Sequence, residues 1–243
     1  NAGSLRPITV KAPEGCLLNA TVPSPVWGRH LSGHYVPPAV LGALAKAAPE
    51  KAVAESGSPL WNVYFGGARG DGETFVKMFF MNGGHGARSV GDGPGCLSFP
   101  SNVSNEPIEV FETQTPMLVT EKAFVPDTGG AGRYRGGNAQ RIGFRSLSDT
   151  PITMTIRHER VHYPARGQLG GMPGSCGIDL LNGETLAPKS RTALKKGDEV
   201  VFQMPGGGGL YPPSERSKAA IDVDIASGLV TAAAAAEVSN DAD

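Results

Sequence analysis

The residues from His158 to His162 spell His-Glu-Arg-Val-His, the spacing in which two histidines one helical turn apart bind zinc beside a glutamate general base. That chemistry needs a helix beneath it. Here the motif follows Ile152, Met154 and Ile156, which alternate with Thr153, Thr155 and Arg157, and Pro164 comes two residues after His162. A period of two and an early proline describe a strand and its end, so we expect no metal site on this chain.

Two glycine blocks offer other chemistry. Gly83-Gly84-His85-Gly86-Ala87-Arg88 sets an imidazole and a guanidinium among glycines that let a ligand approach the backbone, although the same pattern suits a tight hairpin. Gly206, Gly207, Gly208 and Gly209 follow Pro205 in a run whose entropic cost ordinary turns avoid. It suggests a backbone nest or a close contact with another subunit, a flexible connector being the alternative. Gly83, His85, Arg88 and Gly206, Gly207, Gly208, Gly209 are therefore the candidate substrate-binding or interface residues. No catalytic residue is assigned.

Seven arginines from Arg133 to Arg166 face only Asp149 and Glu159 in that stretch, while residues 215–243 hold six acids and two bases. The guanidinium fork suits planar anions or an acidic surface, the chain's own tail included; exposed strand charge is the plainer reading. Neither a Gly-x-Ser-x-Gly elbow nor a Gly-x4-Gly-Lys-Ser/Thr loop occurs. Neither a hydrolase triad nor self-sufficient nucleotide hydrolysis follows.

The elements that must position these residues read as mainly β. Strand patterns are expected at residues 8–11, 60–65, 74–81, 108–113, 117–125, 152–157 and 199–204, separated by turns at Gly66-Gly67, Gly83-Gly84, Gly129-Gly130, Gly136-Gly137 and Gly170-Gly171. Val36, Val40, Leu41, Leu44 and Ala48 recur at helical spacing, with Pro37 and Pro38 in a first turn, so one internal helix is expected over 36–48. Ser214 is the expected cap of a helix to residue 226, and Thr231 that of a second over 232–238. The fold class is α+β, mainly β: short strands with Gly-rich turns, one internal helix and a C-terminal helical hairpin. We expect a mainly β domain over 1–213 and a helical appendage over 214–243.

Composition narrows the function classes. With 34 Gly and 20 Pro among 243 residues the chain is rich in turns, yet 40 % hydrophobic residues can bury a core, which excludes disorder and collagen. A formal net charge of -1 argues against a generally basic nucleic-acid binder, and no apolar run is long enough for a membrane helix. Three scattered cysteines argue for a reducing compartment rather than a disulfide scaffold, so a cytoplasmic location is expected.

The glycine blocks also carry a family resemblance. NAGSLRPITVKAPEGCLLN (residues 1–19), VLGALAKAAPE (40–50), GGHGARSVGDG (83–93), NEPIEVFETQTPM (105–117), PDTGGAGRYRGGNAQ (126–140), GQLGGMPG (167–174) and PKSRTALKKGDEVVFQMPGGGG (188–209) occur in the order found in the C-terminal half of B-type subunits of the hydantoinase/5-oxoprolinase family. The chain resembles that family over nearly its whole length. It departs where Leu210-Tyr211-Pro212-Pro213 replaces a common Gly-Asp-Pro, and nothing in the family supports a metal at His158.

The resemblance implies an ATP-dependent hydrolase of cyclic amides, such as a hydantoin or 5-oxoproline, built from two kinds of subunit. The A-type partner would bind ATP with Mg and phosphorylate the ring carbonyl oxygen, turning a poor electrophile into one with a good leaving group. The B-type part would hydrolyse the activated amide, with its metal ion on the N-terminal half. No cofactor is then expected on this chain, whose partners would be the A-type subunit and the N-terminal half of the B-type subunit. Related scaffolds carboxylate acetone or acetophenone, so a subunit of an ATP-dependent ketone carboxylase is one alternative. A non-catalytic assembly module is another.

Overall fold

Alternation along the strands builds two antiparallel sheets that face each other. In the computed structural model, which describes residues 6–26 and 28–240, the first sheet has the order β2-β1-β5-β8 and the second β3-β4-β9-β6-β7. The strands are β1 (Trp61–Ala68), β2 (Thr74–Met81), β3 (Met117–Val125), β4 (Ala139–Ser146), β5 (Ile152–Arg157), β6 (Ile178–Leu181), β7 (Glu184–Thr185), β8 (Lys189–Leu194) and β9 (Glu199–Gln203). Every second residue points inward: Trp61, Val63 and Phe65 on β1, Ile152, Met154 and Ile156 on β5, Ile142 and Phe144 on β4, Val200 and Phe202 on β9. Phe65 and Phe79 of the first sheet lie 5.4 and 5.2 Å from Phe144 of the second, ring centre to ring centre. Each such aromatic pair contributes about 0.5–1.5 kcal/mol beyond its buried area.

Four helices are described. Helix α1 (Arg29–Leu44) begins earlier than the pattern at 36–48 predicts, and Pro37 and Pro38 lie inside it. Pro38 and His34 are its buried residues, because α1 meets the body through a polar side described below. Helix α2 (Ile108–Gln114) corrects the strand expected over 108–113. Ile108 and Val110 flank polar Glu109 in a strand-like alternation, but Phe111 decides the outcome. It is buried in the core of the sandwich, 5.1 Å from Phe79 and 5.4 Å from Phe144, carried there by the helical turn after Pro107. Residues 8–11 form no strand: they are exposed and lie outside both sheets. Gly66 and Gly67 lie within β1, opposite Val76 and Phe75, rather than in a turn.

The C-terminal hairpin is present, with its first cap moved. Helix α3 (Lys218–Ala226) is capped by Ser217, whose side chain accepts from the Ala220 amide, while Ser214 sits in a short 3-10 turn. Helix α4 (Ala232–Asn240) is capped by Thr231, whose hydroxyl accepts from the Ala234 amide at 3.2 Å. No helix among the described residues is long and apolar enough to cross a membrane.

Candidate functional site

Beside the sandwich, the glycine blocks join in a second core made of backbone. Residues 205–211 run through its centre. The amide of Gly207 donates to the Gly137 carbonyl at 2.9 Å and that of Gly208 to the Glu55 carbonyl at 2.8 Å; the Gly207 carbonyl accepts from Gly130 at 2.8 Å and that of Gly208 from Ala87 at 2.9 Å. Outer segments bond to one another in the same way, as from His85 to Pro94 at 2.9 Å and from Gly137 to His85 at 2.8 Å. Peptides approach so closely that a Cβ on Gly206, Gly207, Gly208 or Gly209 would land on the carbonyl oxygen of Thr128, His85, Arg166 or Ala131. None of the four has positive φ, so close approach rather than turn geometry explains the run. Buried amides and carbonyls are satisfied by each other, which makes this bundle the glycine equivalent of a packed core.

The predicted site residues are thus partly brought together. Gly83, His85 and Gly206 to Gly209 are bundle neighbours, and the run is buried against its own chain rather than serving as a loose connector. The His85 ring is buried, with Nδ1 2.7 Å from the Gly86 carbonyl and the ring set T-shaped against Phe99, 5.0 Å between centres. Burial lowers its pKa, and the nearby Arg88 adds to that. Arg88 itself is exposed and stands apart, one guanidinium nitrogen 3.4 Å from the Asp92 carbonyl.

Carboxylates that no motif pointed to tie the bundle to its surroundings. Glu55, 7 % exposed, accepts from Arg166 Nη2 at 2.6 Å, Arg166 Nε at 2.8 Å and Arg160 Nη1 at 3.2 Å. Burial works against its ionisation, but the Arg166 hydrogen bonds and the Arg160 charge outweigh it and hold the carboxyl below its ordinary value. On the other side, Asp92 grips Arg216 bidentately at 2.8 and 2.9 Å, and Arg216 reaches Asp224 at 2.6 Å. Arg135 completes the group 3.4 Å from Asp224, and its amide donates to Asp92 at 2.6 Å. Asp92 is also held low: burial opposes it, and Arg216 and the Arg135 amide prevail. This four-residue network fastens α3 to the bundle. A second tie runs from Thr231 to Asp127 at 2.7 and 2.8 Å. Nothing local in the sequence marks Asp92 or Glu55 as paired, because the arginines that meet them, Arg216 and Arg160, lie far along the chain.

The arginine stretch is therefore no single strip. Arg133, Arg135, Arg141, Arg145, Arg160 and Arg166 form ion pairs within the chain, Arg133 and Arg135 with the tail acids Glu215 and Asp224. Between the bundle and the hairpin lies a cavity of about 340 Å³, walled by residues 127–132 and 173–175, with Ile221, Val230 and Ala234 across from them.

The His158 motif forms no helix. His158 is fully enclosed, stacked on Trp61 with planes 6° apart and centres 4.0 Å apart; Nδ1 lies 2.7 Å from Asp179 and Nε2 3.2 Å from the Asn62 carbonyl. Both ring nitrogens are engaged in the core. Glu159 pairs with Lys189 at 2.8 Å, and His162 faces solvent. Among the described residues no group of three or more His, Cys, Asp or Glu is placed to hold a metal ion. The three cysteines are free thiols, and burial raises Cys96 and Cys176.

Comparison with known proteins adds what the geometry alone does not. Residues 1–213 match the family model of hydantoinase B/oxoprolinase. The chain is 29 % identical over 253 residues to the caprolactamase subunit beta of Pseudomonas jessenii, covering 95 % of this chain and 42 % of that one. It is 29 % identical over 233 residues to the 5-oxoprolinase PfmaA of Pestalotiopsis fici, covering 88 % of this chain and 17 % of that one. The crystal structure of the ATP-dependent caprolactamase from P. jessenii superposes with a TM-score of 0.81 at 25 % identity, over 93 % of this chain and 42 % of that chain. A nucleotide-free acetone carboxylase shares the fold, at 20 % identity and a TM-score of 0.67 over 80 % of this chain and 31 % of that chain. The chain thus spans less than half the length of these relatives. All the segments of the glycine bundle fall inside the matched residues, and on that match the chain belongs to the hydantoinase B/oxoprolinase family.

Proposed function

We propose that this chain is the C-terminal, glycine-bundle part of a B-type subunit in an ATP-dependent hydrolase of cyclic amides, acting inside a hetero-oligomer. One observation carries the reading: the family match over 1–213 coincides with a 0.81 TM-score likeness, at 25 % identity, to an ATP-dependent caprolactamase. A five- to seven-membered ring of the hydantoin, 5-oxoproline or lactam type is the proposed substrate class.

In this reading the A-type partner binds ATP and Mg and activates the ring carbonyl, and a metal ion sits on the N-terminal B-type part. The described residues offer no ligand set for such an ion. Their proposed role is to hold a rigid wall. A bundle of mutually bonded peptides presents fixed dipoles and little freedom to reorganise, which is what an activated ring needs around it. Residues 214–243 are proposed as an appendage; the end of the family match at residue 213 supports that division. A cytoplasmic site of action is proposed on the free thiols.

The ketone-carboxylase reading has the acetone carboxylase fold in its favour, at an identity that carries the fold alone. The assembly-module reading draws on the glycine run being packed against backbone of its own chain. Assay of the chain alone, then with A-type and N-terminal B-type partners, against 5-oxoproline, hydantoin and caprolactam separates them. The expected result is ring opening only with all parts and ATP. Turnover by the isolated chain contradicts the proposal.

A further inference from the structure

Helix α1 turns a polar side to the body of the protein and an apolar stripe to solvent. Inward, the Asn62 side-chain amide donates to His30 Nε2 at 3.0 Å, the Leu60 amide donates to His34 Nδ1 at 3.0 Å, and the Arg160 guanidinium stands 5.3 Å from the centre of the Tyr35 ring. Outward, Val36, Val40 and Leu44 repeat at i, i+4 and i+8, so they form one stripe. They are 37, 51 and 55 % exposed.

The segment before it behaves alike. In residues 6–26, Val10, Leu17 and Val22 are 86, 82 and 96 % exposed, and Ile8, Leu18 and Val26 are exposed as well. Among the described residues every hydrogen bond of this arm stays within it, such as those linking Gly15 and Asn19, Cys16 and Pro13, and Ser24 and Thr21. Exposed apolar residues scattered singly are ordinary, but nine between residues 8 and 44 are a surface.

We infer that the arm and the outward stripe of α1 form the docking face for the polypeptide corresponding to the rest of the B-type length. Two observations choose that occupant. The family match starts at residue 1, so the arm belongs to the shared architecture rather than to a stray tail. This chain accounts for 42 % of the caprolactamase chain it superposes on, leaving more than half of that chain to pack against it. An arm whose backbone bonds are all local and whose large side chains point outward gains its burial from another polypeptide. The inference rests on the reading above only for the identity of that polypeptide.

The test co-expresses the tagged chain with the polypeptide from the same organism that matches the remaining length of the caprolactamase beta subunit. Two variants are compared with the unmodified chain: Leu17→Asp with Leu18→Asp and Val22→Asp in the arm, and Val40→Asp with Leu44→Asp on α1. Val76→Asp, 83 % exposed on β2, is the control. Each variant is expected to lose at least about tenfold in co-purified partner while its own melting temperature stays unchanged, and the control to lose none. Full recovery of partner with both variants overturns the inference, as does a chain that self-associates through these residues. Amide turnover, measured separately, tests the functional reading: an assembly that needs the arm but opens no ring upholds the docking face and refutes that reading, and the converse holds.

Discussion

Gly207 presses its backbone against the carbonyl of His85 so closely that no side chain fits between them. Two blocks separated by over a hundred residues thus depend on each other, and the dependence is steric. Gly207→Ala should cost about 2–4 kcal/mol, from overpacking and from hydrogen bonds pulled apart. Gly33→Ala, in helix α1 with open space around it, should stabilise by about 0.5–1 kcal/mol. Thermal denaturation of the two variants reads opposite signs; equal and small effects would mean the bundle is loose.

Several strands were legible from alternation, although β4 was not expected even with Ile142 and Phe144 alternating with Arg141, Gly143 and Arg145. The patterns at Thr74–Met81, Met117–Val125 and Ile152–Arg157 coincide with β2, β3 and β5 to the residue. β8 escaped because Lys189, Arg191 and Ala193 face solvent and leave only Leu194 fully buried. The bundle was half legible: glycine runs announce close approach, but a residue without a side chain has no periodicity to say which backbone it meets. The pairings of Glu55 with Arg160 and of Asp92 with Arg216 span more than a hundred residues, so charge counting along the chain saw an unbalanced strip where the fold makes pairs.

Arg216 is the keystone of the hairpin's attachment. Arg216→Ala strands Asp92 and the buried Asp224, and breaking such a cluster from one side costs about 3–5 kcal/mol when the loss is not relieved by local opening. Relief is available here, since α3 and α4 lie outside both sheets and are tied to the bundle through a few side chains such as Asp224 and Thr231. Limited proteolysis should therefore cut between residues 214 and 240 in the variant well before the sandwich melts. Proteolytic resistance equal to that of the unmodified chain would contradict the attachment.

His158 and His162 should behave differently. His158→Ala removes a stack on Trp61 and orphans Asp179, a loss of about 3 kcal/mol, whereas His162→Ala at an exposed position should change stability by less than about 0.5 kcal/mol. Elemental analysis should find no zinc that either variant removes. Stoichiometric zinc lost in both would restore the metal reading of the motif.

Stability should fall in two stages on acidification. Burial lowers the pKa of His30, His34 and His85 from 6.5, so the unfolded chain takes up protons first and stability drops as pH falls through and below 6.5. Glu55 and Asp92 are held below 4.5 and 3.8, so their contribution is fully present above those values and is lost as pH falls through the lower folded ones. Melting temperature measured from pH 8 to 3 should show both falls, and Asp92→Asn should flatten the second. A profile flat between pH 7 and 5 would contradict the lowered pKa values of these histidines.

The most direct measurement is the stoichiometry of ATP use by the reconstituted assembly. ADP release and ring opening would be followed together on 5-oxoproline, hydantoin and caprolactam, with and without bicarbonate, and on acetone. The account predicts ADP release coupled to loss of one of the cyclic amides, independent of bicarbonate. ATP consumed only with a ketone and bicarbonate would contradict it.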